Sequence, residues 1–379
     1  MTRSNEPPPP DMPPRDPNLR LDALHEALSA QPDCQGLARE DLDLLDVGGI
    51  AHDHIRLRGL EIAAPDMKAA GTKPAPVLLR VPRLSQWGLA PAENLAYQAA
   101  CFKRVAPSGV TPRLLGILPV TRTVPMGALL VEEIKGRKPR LPGEMAAIAR
   151  SLALVHKLAV PPPAECAPLR FHINAVAGTL TAIETQAAFI NAAGIAAPAR
   201  AMIEEEIAWA RDFAEEAASR PQTPRLVATD AHPGNFLITR GGRTVLVDLE
   251  KMFYGAPAID LAHASLYTST MWDPEIASAL DAEEVAVFLA AYFEAAGPAL
   301  AEEVRPWVMP MRRLTWLRTL TWCIRWRVLS AGADDWSAEQ LDDATRAHIE
   351  NIIADYVSPE RIEAIRAEWQ EARLAAMLA

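Results

Sequence analysis

Apolar residues recur along this chain with two different periods, and the change from one to the other divides it. From Leu21 to about Ala159, short β-type runs mix with helical pattern: Ile55 to Leu60, VLLRVP from Val77, and ALLVEEI from Ala128. Between the last two runs, ENLAYQAACFKRVA carries apolar residues at helical spacing. Strands, one helix, then further strands ending at Glu132 and Glu133 predict a small sheet-based lobe closed by that helix, with a hinge from about Ile134 to Gly136.

Beyond the hinge the pattern turns mainly helical. GEMAAIARSLALVHKL is amphipathic, with Ile148, Leu152, Val155 and Leu158 on one face. Further helices are expected through Ala175 to Ala193, Ala199 to Ser219 and Ala282 to Ala296. One strand pair interrupts them: FLITRGGRTVLVDL has two β-rich runs around Gly241 and Gly242, a hairpin signal that draws the flanking Asn235 and Asp248 together. The expected fold class is α+β in two lobes, a strand-rich one over residues 31–133 and a larger, mainly helical one over 134–379. Prolines cluster from Pro7 to Pro17, so residues 1–30 are read as a disordered, solvated tail.

With 379 residues, half of them hydrophobic, the chain has enough apolar material for two such lobes. A net charge of -10 argues against a nucleic-acid partner, since phosphate neutralisation requires a basic face. No segment reads as a signal peptide or as an uncharged bilayer span, so a soluble protein with no membrane partner is expected. Cys34, Cys101, Cys166 and Cys323 are too widely spaced for a C-x-x-C metal pattern or a dense disulfide framework, which fits a reducing cytoplasm.

The chemistry is concentrated in LVATDAHPGNFLITRGGRTVLVDLEKMFYGAPAIDLAH, from Leu226 to His263. Two carboxylates and an amide, Asp230, Asn235 and Asp248, bracket the hairpin. Phosphoryl transfer needs a group that positions the attacking hydroxyl, and oxygen ligands for the magnesium that bridges nucleotide phosphates. Asp230 suits the first need. Asn235 offers a neutral amide oxygen and Asp248 a charged carboxylate for the second, with substrate phosphates and waters completing the octahedron.

D-A-H-P-G-N, then V-D-L-E one hairpin later, then P-A-I-D-L-A, resembles the catalytic signature of the aminoglycoside phosphotransferase and choline kinase-like family, over the chain from about Gly48 to Trp326. The resemblance implies a bilobal protein-kinase-like fold, with a nucleotide-binding first lobe, an acceptor-binding second lobe and chemistry in the cleft. It makes Asp230 the catalytic base and Asn235 and Asp248 the magnesium ligands, with Glu250 in support. Asp260 reads as structural, a buried acid at a helix start that accepts backbone N–H bonds, both capping the helix and tethering the catalytic loop, and His232 as a brace in the Pro233-Gly234 turn. The chain departs from the family in having Ala228-Thr229 where a His-Gly pair usually precedes the catalytic Asp.

In the first lobe the resemblance places Arg80 of VLLRVP at the nucleotide phosphates, which arginine grips in bidentate fashion. Its acidic partner is expected from the following helix, where Glu93 is the candidate although Gln98 lies closer to the expected register. Gly48 and Gly49 precede a β-type run and would let backbone N–H groups approach phosphates. Glu132 and Ile134, at the hinge, complete the nucleotide set. His52, Asp53 and His54 are read first as part of that nucleotide-covering loop, then as solvated loop residues, and last as a zinc site.

Acceptor choice falls to the second lobe. RPWVMPMRRLTWLRTLTWCIRWRVLS, from Arg305 to Ser330, reads as a largely buried helix: Trp316, Leu320 and Cys323 share one face, and Leu317, Ile324 and Val328 another. A cleft-facing Trp322 or Trp326 would receive a cationic or apolar acceptor, and a cleft-facing Arg318 or Arg325 an anionic one. Asp273 and Glu275 are placed either to recognise amines or as caps of a helix start. The expected function is transfer of the γ-phosphate of ATP, with Mg2+, to a hydroxyl of a small-molecule acceptor. The alternative is a nucleotide-binding regulatory protein without turnover. The short spacing from Asp248 to Asp260 leaves no segment for docking a protein substrate.

Overall fold

Burial alternates over residues 55–57 and 77–79, as strands with one face on a core require, whereas residues 128–131 are buried at every position. In the computed structural model, which describes residues 17–45, 51–63, 73–220, 222–330, 343–370 and 373–378, the chain forms two compact units. The first comprises residues to Lys103 plus Pro112–Glu133; the second comprises Arg104–Thr111 and Ile134–Ala379.

The first unit contains helix α1 (Pro17–Ser29), strands β1 (Leu42–Leu45), β2 (His52–Ile62) and β3 (Ala75–Pro82), most of helix α2 (Pro91–Val105), and strands β4 (Leu114–Leu118) and β5 (Ala128–Glu132). The strands form one antiparallel sheet in the order β1-β2-β3-β5-β4. Ile55 and Leu57 of β2, with Val77, Leu79 and Val81 of β3, lie in its core. By strand alternation, Leu78 and Arg80 point to the opposite face.

The reading of residues 1–30 as a tail is corrected here. Pro17–Ser29 are helical, and Leu21, Leu24 and Leu28 join the core of the first unit. That spacing is a helical stripe which the neighbouring prolines obscured. The proline run ahead of it lies outside the described residues.

The second unit runs through β6 (Gly136–Arg137), α3 (Met145–His156), α4 (Ala175–Ala187), α5 (Ala197–Ala217), β7 (Arg225–Val227), β8 (Phe236–Thr239), β9 (Thr244–Leu246) and β10 (Phe253–Gly255). Then come α6 (Pro257–Ser265), α7 (Tyr267–Thr270), α8 (Ala282–Ala296), α9 (Pro298–Val304), α10 (Val308–Leu329), α11 (Asp343–Tyr356), α12 (Pro359–Gln370) and α13 (Arg373–Leu378). The helix expected to reach Ala193 ends at Ala187 and continues as a 3-10 turn at Ile190–Ala192. Helix α3 packs on α8, and α10 packs against α4 and α6. The apolar residues of both α10 faces are buried apart from Val328, which is half-buried.

Two short ribbons matter most for function. Strand β7 pairs with β10, Val227 opposite Phe253, and β8 pairs with β9, Phe236 opposite Leu246. The loop from β7 to β8, residues 228–235, and the loop from β9 to β10, residues 247–252, are therefore clamped at both ends and run side by side. Among the described residues, no helix is long and apolar enough to cross a membrane. Cys34, Cys101, Cys166 and Cys323 are all buried.

Candidate active site

The first of these loops carries Asp230 and Asn235, and the second carries Asp248, Glu250 and Lys251. Where the β8–β9 ribbon ends, the Val247 N–H donates to the Asn235 carbonyl at 2.9 Å, which sets Asp248 one residue from Asn235's neighbour across the ribbon. The Asn235 side-chain Nδ2 donates to the backbone carbonyl of Asp230 at 2.8 Å. A carbonyl can only accept, so that bond fixes which end of the amide is nitrogen and turns the Asn235 Oδ1 away from it.

The loop ahead of Asp230 is held from beneath by one buried carboxylate. Asp260, on α6, accepts the N–H groups of Ala228 and Thr229, both at 2.7 Å. It also receives the His156 Nε2–H at 3.1 Å, while the Tyr292 hydroxyl donates to His156 Nδ1 at 2.9 Å. The tether expected of Asp260 is present; its position in the fourth residue of α6 makes it a brace for the loop and not the cap of its helix.

Thr229 stands in the left-handed region, φ 63°, where a side chain costs about 1 kcal/mol or more. Three contacts hold it there. Its N–H is on Asp260, its hydroxyl donates to the Lys251 carbonyl at 2.9 Å, and its own carbonyl accepts from Arg318 at 3.4 Å. The left-handed turn before Asp230 is thus made without the glycine of the usual His-Gly pair.

Asp230 faces two cationic or polar neighbours that the sequence reading did not single out. The Lys251 Nζ lies 2.6 Å from one carboxylate oxygen, and His263 Nε2 lies 3.8 Å from the other. Burial works to raise the Asp230 pKa, but Lys251, His232 and His263 outweigh it and hold the carboxyl well below the usual range. For Lys251 the balance also favours charge: burial lowers its pKa, and Asp230 and Glu250 raise it above the ordinary value. Burial pushes the His263 imidazole down to about 4. In sequence Lys251 follows Glu250 like any surface lysine. Its signal was positional: it opens the return from the clamped loop into β10.

His232 is also depressed, first by burial, and its Nδ1 is buried with no hydrogen-bond partner among the described residues. Its ring packs over Gly234, where an added Cβ would sit 2.9 Å from His232 Cε1 and 2.7 Å from the Asp273 carboxylate. Only glycine allows both approaches. Asp273 and Glu275 in turn both engage Lys138, at 2.7 and 2.9 Å.

In the first unit, Arg80 is buried, and its Nη2 donates to His52 Nδ1 at 3.2 Å; His52 Nε2 then donates to Gln98 Oε1 at 3.0 Å. Gln98 of α2 occupies the inward position, whereas Glu93 is exposed in the first turn of that helix, five residues and well over a turn away. Glu93 therefore does not fill the partner position expected of it. His52, Asp53 and His54 belong to strand β2 and not to a loop: Asp53 is buried against Arg83, at 2.6 Å, and Arg20. Glu132 accepts from the Arg113 Nε at 3.0 Å, and the Glu132 N–H donates to the Arg113 carbonyl. Ile134, half-buried, begins the second unit. Gly48 and Gly49 lie outside the described residues.

A family model described as the phosphotransferase enzyme family matches residues 60–307. No curated protein matches the chain in sequence. Solved structures are similar in fold at low identity. A choline/ethanolamine kinase family protein from Mesorhizobium loti superposes with a TM-score of 0.57 at 18% identity, over 95% of this chain and 99% of that one. A choline kinase from Cryptosporidium parvum Iowa II gives 0.55 at 14% identity, over 95% and 98%. The GDP complex of aminoglycoside 2'-phosphotransferase-IIIa gives 0.56 at 15%, over 88% and 99%.

Proposed function

The chain belongs to the phosphotransferase enzyme family, and from that premise we propose that it transfers the γ-phosphoryl group of ATP to a hydroxyl of a small-molecule acceptor, with magnesium. What supports this reading is the Asp230 carboxylate, paired with Lys251 on a doubly clamped loop, with the Asn235 amide bonded to the Asp230 backbone and Asp248 following Val247, whose N–H meets the Asn235 carbonyl.

The donor set fits magnesium. The Asn235 amide nitrogen is committed to the Asp230 carbonyl, which leaves its Oδ1 as the coordinating end, and Asp248 adds a carboxylate; hard oxygen ligands in this number suit a metal that keeps waters and substrate phosphates. Bound there, magnesium supplies charge neutralisation to the nucleotide phosphates. Asp230 orients the acceptor hydroxyl and takes its proton late, once the new P–O bond makes that proton acidic. A carboxylate with a depressed pKa is a weak base, so most of its contribution is positioning, in keeping with a loose transition state. In the first unit, Arg80 is assigned to the phosphates of ATP, oriented by His52 and Gln98, and the hinge at Glu132 and Ile134 to the rest of the nucleotide.

Magnesium-dependent release of ADP, with a panel of small hydroxylated compounds, tests this reading. Asp248→Asn is expected to raise the magnesium requirement at least tenfold and to lower turnover by about 10²-fold or more. ATP binding without turnover on any acceptor would instead favour a regulatory nucleotide-binding protein.

A further inference from the structure

The region around Asp230 holds more than one acid, and most of those facing it have a committed partner. Asp230 is paired with Lys251, Asp273 with Lys138, and Asp260 with two backbone N–H groups and His156. Asp248 and Glu250 are given to the metal region by the reading above, on which this inference rests. Glu275 also meets Lys138 and is largely exposed, at 71%. No carboxylate in this set is held in reserve for an incoming ammonium group, the amine recognition that is one of the roles expected of Asp273 and Glu275.

Arg318 is in the opposite condition. It projects from the middle of α10, half-buried, and its Nη2 reaches the carbonyl of Thr229, the residue before Asp230, at 3.4 Å. That single long bond is the only one its guanidinium makes among the described residues; neither Nε nor Nη1 finds an acceptor there. A guanidinium presents five N–H donors in a planar fork matched to carboxylate and phosphate. Burial draws its pKa down against the opposing pull of Asp230 and Asp260, and an approaching anion adds to that pull.

Two indoles lie beyond Arg318. Trp322 lies one helical turn further along the same face of α10, and its ring meets that of Trp272 edge to face, with centroids 6.0 Å apart. The indoles alone would suit a quaternary ammonium group. The arginine one turn away would repel it; Asp230 and Asp260, the acids that act on that guanidinium, are already engaged by Lys251 and by two backbone N–H groups and His156.

We propose that the acceptor carries, besides the hydroxyl that is phosphorylated, an oxyanion group, a carboxylate or a phosphate monoester, and that Arg318 binds it. The hydroxyl then lies against Asp230 while the oxyanion is held from α10.

Two arms test this. In the first, ADP release is measured with glycerate and other hydroxy acids, with glycerol 3-phosphate and other phosphorylated polyols, with neutral glycerol, and with ethanolamine and choline. The hydroxy acids and the phosphorylated polyols report which oxyanion is used. Turnover is expected in an anionic set, with KM raised roughly 10- to 150-fold in Arg318→Gln, the range for losing one charge-assisted pair, and partly restored in Arg318→Lys. Turnover confined to ethanolamine, choline or glycerol overturns the proposal. So does an Arg318→Gln loss of kcat that is equal on every acceptor, which would place Arg318 on the transferred phosphoryl group. The second arm needs no turnover: the shift in thermal midpoint caused by glycerate or glycerol 3-phosphate is expected in the wild type and lost in Arg318→Gln. Absence of any wild-type shift overturns the proposal. Failure of Mg·ATP to bind overturns the kinase reading and is scored separately from that shift.

Discussion

The Lys251 ammonium sits 2.6 Å from the Asp230 carboxylate, across two loops that are clamped by the β7–β10 and β8–β9 ribbons. Neither residue is fully exposed, at 30% and 19%, so solvent screens the pair only in part. The pairing favours the ionised form of Asp230 and offsets its charge.

Replacing Lys251 with Met removes the cation that opposes the effect of burial on Asp230. The Asp230 pKa then rises from its depressed value, and the acid limb of the pH–rate profile moves to higher pH. Turnover is expected to fall by about 10- to 100-fold, with Lys251→Arg recovering most of it. A pH–rate profile of the three proteins checks this, because a purely structural lysine would leave the limb in place.

Asp260 acts through the loop and not on the substrate. In Asp260→Asn, an amide N–H₂ must face at least one of the three donors now bound, from Ala228, Thr229 and His156. The expected cost is about 3–5 kcal/mol of stability, with turnover lost in proportion to misplacement of Asp230. Urea unfolding of the variant measures it.

His263 makes stability fall in acid. Its pKa is near 4 in the folded chain, chiefly through burial, against about 6.5 when unfolded. Between those values the unfolded state binds more protons, so the contribution is complete above about pH 6.5 and drains away as pH falls toward 4. The loss is on the order of 3 kcal/mol. Urea midpoints of the wild type should drop between pH 7.5 and 4.5, and His263→Gln should flatten part of that slope.

Much of the second unit was legible because its signals are local. Helical spacing marked α3, α5, α8 and α10, and the Gly241-Gly242 turn between two β-rich runs marked the hairpin that sets Asn235 near Asp248. What periodicity does not encode is which side chains meet across loops. The Lys251 pair with Asp230 and the Arg318 bond to Thr229 depend on the ribbons and on how α10 packs against α6. In the first unit the same limit applies to Arg80, whose contact runs through His52 to Gln98 while Glu93 remains in water. Helix α1 went unread for another reason: three leucines at helical spacing follow a proline-rich stretch whose composition dominates the window.

The central claim is that Asp230 positions the hydroxyl for transfer, and one comparison addresses it directly. With γ-labelled ATP, magnesium and an acceptor that the wild type phosphorylates, Asp230→Ala should bind Mg·ATP within about threefold of the wild type and transfer label roughly 10²- to 10⁴-fold more slowly. Transfer at the wild-type rate by a folded Asp230→Ala protein would contradict the account.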